Sequence, residues 1–396
     1  MKGPSIAACL AAILCAVGGT AAADDHAPRA RDLGVPFDGT PGTLNAITDV
    51  AGVRVGHHTL IADLDDGRAV RTGVTAILPR GAQTLDRPVF AGLYALNGNG
   101  EMTGSHWIAE SGYLEGPVLI TNTHSVGAVH DAVIRWRVAQ GDPDESGYWW
   151  SLPVVAETYD GYLNDINGFH VYADHVFLAL ETASEGPVAE GSVGGGTGMI
   201  CHEFKCGIGT ASRRTRIGDA DYTTGVLVQA NYGLRDTLRV AGVPVGQVLR
   251  EHRVWSDPQP DDETGSIIIV VATDAPLLPH QLERIARRAA LGLARVGGIA
   301  GNGSGDIFLA FSTTPAGTDQ DGALRETAML ANDVMSSLFL ATVEATEEAI
   351  VNALVAGRDM RGHRGSAVSG IDHRALQCAL EAHGRLAATD AEPDCE

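Results

Sequence analysis

Apolar positions recur along the 396-residue chain with two periods. Ser266–Thr273 reads Ser-Ile-Ile-Ile-Val-Val-Ala-Thr, a β-branched run without a polar break, and predicts a strand buried on both faces. Residues 73–78, Val118–Asn122, 225–230 and 306–312 predict further strands. A 3.6-residue spacing predicts helices over 280–296 and over the long segment 323–355, with weaker patterns at 126–138 and 175–182. Strands and helices alternate in places and cluster in others, so the pattern predicts mixed α and β structure with layered sheets and leaves topology open. The polar, acidic, Pro-rich stretch 255–265 stops abruptly where the 266–273 run begins. No repeat and no low-complexity linker divides residues 24–396, which predict one domain.

The N-terminus follows a different pattern. Met1-Lys2-Gly3-Pro4 leads into an apolar run from Ile6 to Val17, then small residues up to Ala23 and the acidic pair Asp24-Asp25. One cation, an apolar run too short to span a bilayer and an Ala-x-Ala site predict a signal peptide, residues 1–23, cut after Ala23. Cys15 follows Leu14 where a lipoprotein signal would want Gly or Ala, so no membrane anchoring is expected after signal removal. Usage rich in Ala, Gly and Arg suits a bacterium with a GC-rich genome, hence a periplasmic or secreted address.

Charge and composition narrow the chemistry. With 28 Lys+Arg against 49 Asp+Glu the net charge is −21, and such a surface repels phosphate backbones, so nucleic acid is not expected as a partner. Lysine occurs only at Lys2 and Lys205, which removes most lysine-based mechanisms. Four cysteines follow the signal segment: Cys201, Cys206, Cys378 and Cys395. They allow three pairings, of which proximity in sequence favours Cys201–Cys206 with Cys378–Cys395. No second Cys pair lies at ribbon spacing from Cys201 and Cys206, and the histidines at 57/58, 124/130 and 170/175 lack the i, i+4 spacing of a helical zinc pair. No metal and no cofactor is therefore expected. Gly194-Gly195-Gly196-Thr197-Gly198 lacks the Lys and Ser/Thr of a P-loop and predicts close backbone packing instead of phosphate binding.

Two motifs carry candidate chemistry. Cleavage of the Gly265–Ser266 bond would give Ser266 a free α-amine of pKa about 7.7–8 beside its own hydroxyl, a nucleophile and base in one residue. Gly301-Asn302-Gly303-Ser304-Gly305-Asp306 brings N–H groups, a hydroxyl and a carboxylate to the entrance of the 306–312 strand.

Read together, ordered blocks resemble one family. They are Arg31–Gly34 with Ile47–His57, Thr121–Gly127, Val154–Gly161, Gly194–Cys201, Gln229–Gly233, Gly265-Ser266 and Gly301–Asp306. The sequence resembles the L-aminopeptidase D-esterase/amidase and β-peptidyl aminopeptidase family over essentially the whole mature chain. That resemblance implies an α+β fold, a four-layer αββα sandwich of the N-terminal-nucleophile type shared with ornithine acetyltransferase. It also implies self-cleavage into an α chain 24–265 and a β chain 266–396. Ser266 would be the nucleophile, Asn231 the oxyanion donor, and Ser304 and Asp306 the groups that hold and relay the proton of the Ser266 amine. Tyr159 would donate to the scissile carbonyl, and Glu157 would pair with the substrate's free amine. The partners implied are small peptide, amide or ester substrates and further copies in a homo-oligomer of αβ units. Cys206 is a departure, since relatives often carry Gly there. An acyl transferase like ornithine acetyltransferase, which would use Thr where this chain has Ser266, and a processed non-catalytic binding protein are the alternatives.

Overall fold

The computed structural model describes residues 28–83, 87–140, 150–255, 259, 263–317, 323–388 and 393–395. The expected signal segment 1–23 and residues 256–258 and 260–262 of the acidic stretch lie outside the described residues. The strands are β1 (Arg54–Asp63), β2 (Ala69–Leu78), β3 (Val89–Gly98), β4 (Tyr113–Leu114), β5 (Val118–Asn122), β6 (Val154–Thr158), β7 (Ile200–Cys201), β8 (Phe204–Lys205), β9 (Ile208–Ile217), β10 (Ala220–Asn231), β11 (Ser266–Thr273), β12 (Gly305–Ser312), β13 (Met360–Arg361) and β14 (Ala367–Val368). The helices are α1 (Ser105–Ser111), α2 (Val126–Gln140), α3 (Ala173–Glu181), α4 (Val245–Val248), α5 (Pro279–Arg295), α6 (Ser336–Val355) and α7 (His373–Ala382).

Alternate side chains of β11 enter two different cores, which is why its sequence is apolar without a break. Ile267, Ile269 and Val271 pack with Leu282, Ala286 and Ala289 of α5 and Ala345 and Ala349 of α6. Ile268, Val270 and Ala272 face the other way, against Ile77, Ile120 and Ala156. Those partners belong to a four-stranded sheet of order β1-β2-β5-β6, while β11 lies inside a six-stranded sheet of order β4-β3-β12-β11-β10-β9. The outer face of the four-stranded sheet buries Val74, Ala76, Leu119 and Val155 against Val129 and Val133 of α2 and Val176 and Leu180 of α3. The layers are therefore helix, sheet, sheet, helix, the αββα sandwich expected from the resemblance. No helix among the described residues is long and apolar enough to cross a membrane.

The long helix expected over 323–355 is shorter than its pattern: α6 begins at Ser336. A short 3-10 turn, Asn332–Val334, precedes it. Asn332 Oδ1 accepts from Arg284 at 2.8 Å and Gln281 at 3.1 Å, and Leu330 N–H donates to the Pro276 carbonyl at 2.9 Å. These ties to α5 and its approach hold the segment outside a helix. The glycine loop at 194–196 is a packing device, as its composition predicted: a Cβ on Gly195 would stand 2.2 Å from Gln229 Oε1 and 2.6 Å from the Ile120 carbonyl oxygen. Cys201 is bonded to Cys206 across the β7–β8 hairpin, and Cys378 of α7 to Cys395.

Candidate active site

Ser266 opens β11 in the middle of the six-stranded sheet. The antiparallel register with β10 sets it beside Asn231, and the parallel register with β12 sets it beside Gly305. Gly305 N–H donates to Ser266 Oγ at 3.1 Å. Glycine is required at 305 by close approach, since a Cβ there would stand 2.5 Å from the Asn99 carbonyl oxygen. Gly265 is under the same constraint: its Cβ would stand 2.4 Å from the Asn231 carbonyl oxygen and 2.5 Å from Tyr232 Cα.

On the β12 side, Ser304 Oγ donates to Asp306 Oδ1 at 2.7 Å. Asp306 Oδ2 is buried without a hydrogen-bond partner among the described residues. Burial pushes the Asp306 carboxyl up to about 6; the Ser304 hydroxyl works against that rise and the like charge of Glu263 adds to it. On the β10 side, Asn231 Oδ1 accepts from Ile200 N–H at 2.9 Å, and Nδ2 donates to the Tyr159 carbonyl at 3.0 Å. The Tyr159 phenol instead lies against Gly161, where a Cβ would meet its hydroxyl at 2.3 Å.

Glu157, in β6, is buried. Its Oε1 accepts from Glu101 N–H at 3.0 Å and its Oε2 from the Thr123 hydroxyl. Burial holds the carboxyl above its usual range, with the Thr123 and Glu101 donors opposing. Gly100 links this carboxylate to the serine: a Cβ on it would stand 3.2 Å from Gly305 Cα and 3.4 Å from Glu157 Oε1. All six residues singled out in the sequence thus gather around the N-terminal end of β11.

Four contributors are not found from sequence. Thr123 stands out only as part of a family block, and the Ile200 and Glu101 contributions come from backbone N–H groups, which leave no side-chain signal. Glu263, read as part of an acidic linker, is buried, accepting from Gly301 N–H at 2.8 Å and Gly233 N–H at 3.1 Å. A cleft of about 620 Å³ opens here, lined by Tyr159, Tyr162, Asn231, Trp255 and the Glu263–Gly265 segment among others. The histidines are dispersed: His57 bonds Thr75, His58 stacks on His175, His124 stacks on Phe169 and His170 bonds Asp165. Among the described residues no group of three or more His, Cys, Asp or Glu side chains could hold a metal ion.

An αββα body with a serine opening a central strand is the architecture of an N-terminal-nucleophile (Ntn) hydrolase, and comparison with known proteins gives the class as aminopeptidase. Residues 45–368 match the model of Peptidase family S58, and the chain belongs to that family. It is 52% identical over 384 residues to the Beta-peptidyl aminopeptidase BapA of Sphingosinicella microcystinivorans, covering 93% of this chain and 95% of that protein. Among solved structures it is similar to the L-aminopeptidase D-Ala-esterase/amidase of Ochrobactrum anthropi, a variant of the Ntn hydrolase fold. That match has a TM-score of 0.84 and 49% identity, and covers 91% of this chain and all of that one. The β-aminopeptidase of a Burkholderia species matches with a TM-score of 0.81 and 55% identity, over 90% of this chain and 99% of that one.

Proposed function

We propose that this protein is an exported serine aminopeptidase that cleaves itself at Gly265–Ser266 and then releases N-terminal residues from short peptides, amides or esters through an acyl-enzyme on Ser266. The observation that carries the proposal is the setting of Ser266. Its Oγ is held by Gly305 N–H, with the Asn231 amide on one flank and the Ser304–Asp306 pair on the other.

In the self-cleavage step, Ser266 Oγ adds to the Gly265 carbonyl carbon, the C–N bond breaks with the hydroxyl proton passing to the Ser266 nitrogen, and water hydrolyses the resulting ester. This leaves a Gly265 carboxylate and a free Ser266 amine. In turnover that amine takes the hydroxyl proton as Oγ adds to the substrate carbonyl, and returns it to the departing amine. Water then hydrolyses the acyl-serine. Asn231 Nδ2 donates to the developing oxyanion without carrying a charge of its own. The unpartnered Asp306 Oδ2 suits an acceptor for the Ser266 amine, with Ser304 orienting the carboxylate. Glu157 pairs with the substrate's ammonium group, and the Tyr159 phenol donates on the cleft side. The working unit is a homo-oligomer of αβ units outside the cytoplasm.

Intact-mass spectrometry of the purified protein tests this. Two fragments split between Gly265 and Ser266 are expected from the wild type, and one uncleaved chain without hydrolytic activity from Ser266→Ala. Two-chain processing in Ser266→Ala would overturn the mechanism.

A further inference from the structure

The cleft beside Ser266 carries a chemical preference of its own. Its walls include Tyr159, Tyr162 and Trp255, each more than a third exposed, with Ile200 and Leu234. Large aromatic faces left open to solvent inside a concavity mark a place where apolar surface can be covered. The rings are already braced. Tyr159 rests on Gly161, and Tyr162 meets Trp255 edge-on with centroids 6.1 Å apart. The Trp255 backbone N–H reaches the buried Glu203 carboxylate at 3.3 Å. A surface fixed in advance loses little conformational freedom when a side chain lands on it.

Charge points the same way. Among the described residues Glu263 is the only Asp, Glu, Lys, Arg or His side chain lining the cleft, and both its oxygens accept from backbone N–H groups. Among the described residues no Lys, Arg or His side chain lines the cleft to meet an acidic side chain, and the chain's net charge of −21 adds to the repulsion.

Position decides which part of a substrate arrives here. Glu157 lies beside Gly100, which itself packs against Gly305 of β12, whereas the cleft is bounded by Asn231–Leu234 at and beyond the end of β10, on the other flank of β11. A substrate whose amine is held at Glu157 and whose carbonyl is over Ser266 continues past Asn231 into the cleft. We infer that the cleft is the subsite for the residue following the scissile bond, and that it selects neutral aromatic or large aliphatic side chains over acidic ones. This rests on the proposed roles of Ser266 and Glu157.

The experiment compares kcat/KM for alanyl-tryptophan amide, alanyl-glycine amide, alanyl-glutamate amide and alanine amide on wild type, Trp255→Ala and Tyr162→Ala. Wild type is expected to favour tryptophan over glycine by roughly tenfold, carried mainly by KM, and to treat glutamate worst. Each variant should lose most of the tryptophan preference while hydrolysing alanine amide, which places nothing in the cleft, within about twofold of wild type. Indifference of the wild type to the second residue, or an equal loss on alanine amide and alanyl-tryptophan amide, would overturn the inference. Failure of the wild type to hydrolyse alanine amide at all would instead overturn the aminopeptidase reading beneath it.

Discussion

The backbone N–H of Ile200 donates to Asn231 Oδ1 at 2.9 Å, which leaves the nitrogen end of the Asn231 amide turned toward Tyr159 and the cleft. Ile200 can do this because it starts a hairpin that has little freedom to move. Cys201 is bonded to Cys206 across the hairpin, and both sulfurs approach the Ala230 carbonyl, one residue before Asn231. The turn residues His202 and Glu203 both have positive φ, 47° and 65°. This costly backbone is stabilised by Arg235, which donates to the His202 and Glu203 carbonyls at 2.8 and 2.9 Å.

Asn231→Ala is therefore expected to lower kcat by roughly 10² to 10³ with a smaller change in KM, because an oxyanion donor acts on the transition state and not on the bound substrate. Replacing Cys201 and Cys206 together by Ser should lower kcat by roughly tenfold through misplacement of the same amide, again with KM nearly kept. Steady-state kinetics on alanine p-nitroanilide reads both. A wild-type kcat in the double variant would show that the hairpin does not orient Asn231, and a purely raised KM in Asn231→Ala would move that residue to substrate binding.

Gly265→Ala should slow self-cleavage. The new methyl would fall 2.4 Å from the Asn231 carbonyl oxygen and 2.5 Å from Tyr232 Cα, both backbone atoms, so the scissile peptide or the end of β10 must shift. Displacing an attacked carbonyl by even about 1 Å can cost roughly 10² in rate. A time course of precursor conversion by intact mass should show accumulation of the uncleaved chain, and conversion at the wild-type rate would contradict the steric constraint.

What the sequence revealed and what it hid follow from where polar groups find their partners. β11 was legible because both its faces are buried, whereas β1, at a sheet edge with half its residues polar, shows neither period cleanly. β9, the edge of the larger sheet, ends in Arg213, Arg214 and Arg216 and was equally hidden. In α6 the apolar pattern ran on past the real helix start because the Asn332 contacts come from α5, about 50 residues away in sequence. The site followed the same rule. Ser266 stands out at a composition boundary, but Asn231, Glu157 and Tyr159 are found only through a family resemblance, because the β10–β11 register and the packing of β6 across the sheet interface are what gather them.

Lys205 gives a pH signature. Its ammonium is fully buried, donating to the Met199 carbonyl at 2.9 Å and the Cys206 carbonyl at 2.5 Å, and burial pulls its pKa from 10.5 down to about 7. Between pH 7 and 10.5 the unfolded chain holds this proton and the folded chain does not, so stability rises with pH through that window. The slope is at most about 1.4 kcal/mol per pH unit. Lys205→Met should flatten it, as seen by urea unfolding at pH 7, 8 and 9 in both proteins. An unchanged slope in the variant would mean that Lys205 keeps its proton in the fold.

Glu157→Gln isolates the amine contact without emptying the site. Glutamine fills the same volume; its carbonyl can still accept from Glu101 N–H, and the Thr123 hydroxyl can turn from donor to acceptor for the new amide. What is lost is the negative charge opposite the substrate's ammonium group. Removing one side of a desolvated charge pair costs about 2 to 5 kcal/mol, so kcat/KM for alanine p-nitroanilide should fall by a factor of roughly 30 or more. N-acetyl-alanine p-nitroanilide offers no cation and should be poor on both proteins, with the variant and wild type nearly equal. The comparison belongs above pH 7, where the Ser266 amine, with an unperturbed pKa of about 7.7–8, begins to be neutral and able to act as base. Equal wild-type rates on the free and acetylated substrates would remove Glu157 as the amine anchor while leaving the chemistry at Ser266 intact.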